Sequence, residues 1–166
     1  MLTLALIVLF VLVLFAVALV TVVNRTGVAK VGVGVYYLRK SLLTPAERSF
    51  LGVLETVLPI GVRVFAKVRL EDVFGVKSGL NRGERQGARN RISRKHVDFL
   101  LVRSNDLVPL SGIELDDSSH DEPDRQQRDA FVDELFKSSA LPLLHVPAQR
   151  SYSPSEIRTK VNALLS

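Results

Sequence analysis

From Leu2 to Val23 the chain is apolar at every position except Thr3 and Thr21, and none of these residues is charged. Seventeen of the 22 are Leu, Ile, Val or Phe and three are Ala. As a helix, a run of that length would rise about 33 Å, against a hydrocarbon core of about 30 Å. Insertion terms of roughly 0.3–0.6 kcal/mol per strong apolar residue sum to about 5–10 kcal/mol. The expectation is a single N-terminal transmembrane helix over residues 2–23, embedded in the lipid bilayer. No basic segment precedes the run, and it exceeds the apolar core of a cleavable leader, about 7–15 residues, so an uncleaved anchor is expected.

Beyond it the pattern changes. In residues 24–40, Gly27, Gly32 and Gly34 alternate with valines, which predicts a linker rather than a helix or a full strand. Thr44 as N-cap, Pro45 at the first helical position and Glu47 three residues after the cap predict a helix start. Phe50, Leu51, Leu54 and Val57 continue it as a helical stripe that ends at Leu58-Pro59. Val62, Val64, Ala66 and Val68 alternate with Arg63, Phe65, Lys67 and Arg69, the pattern of a half-buried strand. A short helix near 82–94 comes next, then strands at His96–Val102 and Leu110–Asp116. A helix over 123–138, a strand over Leu141–Val146 and a terminal helix after Ser153 complete the chain. This order predicts an α/β fold: a mixed sheet of about four strands flanked by helices, in a domain spanning 41–166.

Charge refines the picture. Arg25, Lys30, Arg39 and Lys40 supply +4 of the net +5, so the domain itself is nearly neutral. Cations after the apolar run and none before it predict a single-pass protein of an inner membrane with its domain in the cytoplasm. The chain has no cysteine, which excludes thiolate zinc sites and cysteine nucleophiles. Within the domain charge is segregated. Arg82, Arg85, Arg89, Arg91, Arg94 and Lys95 face only Glu84 as an opposing acid, whereas 114–134 holds nine acids. The basic run suits a phosphate backbone, through Arg89, Arg91, Arg94 and Lys95 in particular.

Three acids sit in otherwise apolar strands. Asp98 lies between Val97 and Phe99, while Glu114 and Asp116 point to the face opposite Ile113 and Leu115. Carboxylates so placed are costly unless paired or bound to a metal. Their convergence without an internal cation suggests a hard divalent ion, Mg²⁺ or Mn²⁺. His120 follows at Asp116-Asp117-Ser118-Ser119-His120, where it can carry a proton.

The element order, with Asp98 on one strand and Glu114-Leu115-Asp116 on the next, resembles the PD-(D/E)XK nuclease superfamily. Lys95-His96-Val97-Asp98-Phe99, Ile113 to His120, and Asp124 to Phe131 together look like a bacterial domain-of-unknown-function family within it. The resemblance implies a restriction-endonuclease-like core and a metal held by Asp98, Glu114 and the Leu115 carbonyl. It also implies a supporting acid at Glu47. The motif's lysine position is occupied here by Asp116. Substitutes are Lys67, Lys95 and His120. Similar branches with E-x-D followed by histidine favour His120, and of the lysines Lys67 is preferred, because Lys95 belongs to the basic run.

The functional expectation is a membrane-anchored, metal-dependent nuclease acting on DNA or RNA. The alternative is an inactive nuclease-fold module that binds nucleic acid or a protein partner.

Overall fold

The computed structural model describes residues 9–18, 32–116 and 123–166. The chain divides into two compact units, Met1–Lys40 and Ser41–Ser166. In the first, residues 9–18 are helical and a 3-10 turn spans Val33–Val35. Among the described residues no helix is long and apolar enough to cross a membrane. The expected transmembrane helix over 2–23, of which 2–8 and 19–23 lie outside the described residues, is therefore corrected, and with it the single-pass inner-membrane placement.

The second unit is an α/β fold with a mixed sheet of four strands. Its elements are α1 (Pro45–Val57), β1 (Val62–Arg69), α2 (Leu70–Val73), α3 (Arg82–Ile92), β2 (His96–Arg103), β3 (Pro109–Asp116), α4 (Pro123–Ser138), β4 (Leu143–Pro147) and α5 (Pro154–Leu165). The sheet order is β1-β2-β3-β4. The first two pairings are antiparallel and β3–β4 is parallel. The short α2 has no counterpart among the elements expected from sequence.

Two hydrophobic clusters cover the two faces. One joins Phe50, Leu54 and Val57 of α1 and Ile157 and Val161 of α5 to Phe99, Leu101 and Ile113 of the sheet. The other joins Leu70, Phe74, Ile92, Val132 and Phe136 to Val97, Leu100 and Val102. Helix α1 starts where the capping signal placed it. Thr44 Oγ1 accepts from the Glu47 amide at 3.3 Å, and Glu47 Oε2 accepts from the Thr44 amide at 2.7 Å. Gly112 faces α4 at close quarters: a Cβ there would lie 2.5 Å from the Phe136 ring and 2.8 Å from Leu143, so no larger residue fits without displacing the core.

A strand normally sends alternate side chains to opposite faces. Strands β1 and β2 keep this rule along most of their length and break it at one point. Val62, Val64 and Ala66 pack on the first cluster, but Val68 packs on the second. On β2, Phe99 and Leu101 feed the first cluster and Val97 the second. The exchange of faces falls at Lys67 and Asp98, directly opposite each other in register between the pairs Ala66↔Phe99 and Val68↔Val97. Lys67 carries it in its backbone, with φ of 56° in the left-handed region. A non-glycine residue there costs about 1–2 kcal/mol, so surrounding contacts must hold it.

Candidate functional site

Where the faces exchange, neither hydrophobic cluster closes over the sheet, and a polar pocket opens. Its walls carry Glu47, Lys67, Asp98, Glu114 and Asp116 on one side and Asp129, Asp133 and His145 on another. Arg94, Lys95 and His96 also line it.

Asp98 organises the centre. The β2–β3 ladder has its last pair at Phe99↔Ile113, and beyond it the two strands separate. The Asp98 side chain fills the opening. Its Oδ2 accepts from the Leu115 amide at 3.0 Å, standing in for the missing strand partner. Its Oδ1 accepts from Lys67 Nζ at 2.7 Å. The Glu114 carboxyl lies close enough to bear on its titration. Burial pushes the Asp98 carboxyl upward. The hydrogen bonds from Lys67 and the Leu115 amide, the Lys67 charge and the Glu114 contact outweigh it and hold the group below the ordinary carboxylate range.

Lys67 bridges two acids. Its ammonium donates to Asp98 and also to Glu47 Oε1, so the glutamate that caps α1 also holds the lysine. Burial lowers the Lys67 pKa, but the hydrogen bonds to Asp98 and Glu47 and their charges raise it above the ordinary lysine value. Regular alternation would have pointed Lys67 away with Phe65 and Arg69. The left-handed backbone turns it inward.

The remaining expected residues divide. Asp116 reaches the pocket at the end of β3. His120 lies outside the described residues. Of the basic set, Arg94 and Lys95 line the pocket, and Arg89 lies on the exposed side of α3. The Arg91 guanidinium sits 4.3 Å from the centre of the Phe131 ring, with Lys95 Nζ 5.2 Å from it. Lys95 Nζ also donates to the Arg91 carbonyl at 2.8 Å, which ties the end of α3 to α4.

Sequence reasoning missed His145. It sits on β4 opposite Glu114, with Nδ1 3.0 Å from Asp116 Oδ1 and Nε2 2.9 Å from Asp133 Oδ1. The available signal was the run Leu143-Leu144-His145-Val146: Leu144 and Val146 pack on the first cluster, which sends His145 to the face that carries Glu114. Burial lowers the His145 pKa, but its hydrogen bonds to Asp116 and Asp133 and their charges raise it above 6.5 overall. A group raised in this way adds stability that is fully present below its unfolded pKa and is lost as pH rises through its folded pKa. Histidine-detected NMR is expected to show His145 half-protonated above pH 6.5, with the midpoint falling in Asp133→Asn. A midpoint at or below 6.5 would mean the two acids do not hold the ring.

Among the described residues no group of three or more His, Cys, Asp or Glu is arranged to hold a metal ion. The donor set is smaller: Asp98 and Glu114, beside the Leu115 backbone. The Lys67 ammonium already compensates the Asp98 charge, and Glu114 adds a second carboxyl to the same pocket. A pair of acids with water and phosphate oxygens completing the shell is how Mg²⁺ is commonly bound, so the residues fit such an ion.

The model of a family described as "Protein of unknown function (DUF2726)" matches residues 39–164. No curated protein and no solved structure matches the chain. The match covers nearly all of the second unit, pocket included, and the chain belongs to the DUF2726 family.

Proposed function

We propose that this pocket is the catalytic centre of a metal-dependent nuclease of PD-(D/E)XK type, hydrolysing phosphodiester bonds of DNA or RNA. The observation that carries the reading is Lys67 Nζ held between Glu47 and Asp98, with Asp98 itself in contact with Glu114. The motif of that superfamily joins two acids and a lysine at one point. Here the acids come from β2 and β3, and the lysine from β1 instead of β3. Asp98, Glu114 and the Leu115 carbonyl would hold Mg²⁺ or Mn²⁺, which when bound lowers the pKa of a water and polarises a phosphate oxygen. Lys67 is placed to orient the attacking water and to face the charge that develops on the phosphate. Glu47 keeps that ammonium in position. Arg94 and Lys95 can meet the phosphates of an incoming strand, and Arg89 extends the positive surface along α3. Such contacts give affinity without sequence preference.

The test is incubation of the full chain with single- and double-stranded DNA and RNA in Mg²⁺ or Mn²⁺. Cleavage is expected, abolished by EDTA and by Asp98→Asn or Glu114→Gln. Activity that survives both substitutions removes the site. Salt-dependent binding with no turnover leaves a nucleic-acid-binding module on the same fold.

A further inference from the structure

His145 is not used in the reading above, although it stands in the same pocket. Its two partners come from different elements: Asp116 ends β3, and Asp133 lies within α4. A ring that donates from both nitrogens is an imidazolium. In that state its orientation is determined by two carboxylates, and it places one positive charge beside Asp116. Asp116 lines the same pocket as Asp98 and Glu114, so the ring brings its positive charge to the acidic side of that pocket. A carboxylate has about four acceptor sites on two oxygens, so Asp116 keeps acceptor capacity after binding the ring.

We propose that His145 is a positioning residue. It holds Asp116 at the pocket wall, where the carboxylate orients water around the Asp98–Glu114 pair. The proposal rests on the nuclease reading. It also accounts for an acid at the motif's lysine position. Lys67 supplies the proton donor from β1, and Asp116, neutralised by His145, supplies an acceptor from β3. A purely structural role is the rival: through Asp133 the ring also fastens β4 to α4.

Two substitutions separate these roles. The asparagine amide nitrogen takes the place of Nδ1, so His145→Asn keeps the donor to Asp116. The glutamine amide nitrogen takes the place of Nε2, so His145→Gln keeps the donor to Asp133. On the full chain, kcat and KM are measured with Mn²⁺ on an oligonucleotide, and Mn²⁺ affinity is measured by calorimetry without nucleic acid. His145→Ala and His145→Gln are expected to lower kcat about 10- to 100-fold, leave KM little changed and weaken Mn²⁺ binding about tenfold. His145→Asn, which keeps the hydrogen bond to Asp116 but not the charge, is expected to fall between wild type and His145→Gln in both. Wild-type behaviour of all three variants overturns the proposal and leaves the nuclease reading standing. So does the reverse order, with glutamine near wild type and asparagine as poor as alanine. If the chain cleaves nothing but Mn²⁺ affinity keeps asparagine above glutamine, the nuclease reading falls and the positioning role stands. If the chain neither cleaves nor binds Mn²⁺, both fall. Should His145→Ala not fold, the asparagine and glutamine variants carry the comparison.

Discussion

Lys67→Met is expected to slow metal-dependent cleavage by about 100- to 1,000-fold, the usual cost of removing one donor aimed at transition-state charge. Methionine fills the volume of the lysine stem but carries no donor. Glu47 and Asp98 then face each other without the ammonium between them. Breaking a buried ion pair by removing one partner costs about 3–5 kcal/mol when both partners are fully buried. The Lys67 side chain is 23% exposed, so water screens part of that cost. The variant should therefore keep its circular dichroism spectrum and melt at lower temperature. Both quantities need measuring, because a rate lost through unfolding says nothing about chemistry. Lys67→Gly supplies the control. It removes the same charge and relieves the left-handed backbone, so its rate should match that of methionine while its stability differs. A folded methionine variant that cleaves within threefold of wild type, a span of about 0.7 kcal/mol in the barrier, would end the assignment of Lys67.

Phe99→Ala is expected to destabilise the domain by about 3–5 kcal/mol. Phe99 is fully buried, and its ring centroid lies 5.3 Å from that of Phe50. Phe50 in turn meets Tyr152 edge-on at 5.0 Å. In register, Phe99 lies between Ala66 of β1 and Ile113 of β3, so its loss opens a cavity where α1 meets the centre of the sheet. Against a typical domain stability of about 5–15 kcal/mol, that is a fifth or more of the total. Urea unfolding should show a lower midpoint with an unchanged slope. A shift below about 1 kcal/mol would mean the first cluster is not organised around this ring.

The elements of the second unit were legible because their signals are local. The Thr44-Pro45-Glu47 cap, the stripe from Phe50 to Val57 and the alternation at Val62–Val68 need no knowledge of distant contacts. Asp98 and Glu114 were legible for a related reason: an acid in an apolar strand must be compensated wherever that strand goes. Lys67 was harder. Periodicity assigns it to the outer face, and only the left-handed backbone at that residue reverses the assignment. No propensity favours lysine in that conformation; it follows from the acids on α1 and β2 that hold it. His145 was hidden because its partners lie 29 and 12 residues away, on strands and helices whose register composition does not set. The apolar run at 2–23 was over-read. Hydropathy measures the residues of a run, and among the described residues no helix is long and apolar enough to cross a membrane.

The exchange of faces at Lys67 and Asp98 also bears on how this family can diverge. The two positions stand opposite each other at a seam that both hydrophobic clusters leave uncovered. A lineage that loses Lys67 first keeps Glu47 and Asp98 without the ammonium between them, and selection for a stable fold acts against that intermediate. The pair should be inherited or abandoned as a unit. Relatives that lack the pair would then carry two neutral residues at the seam.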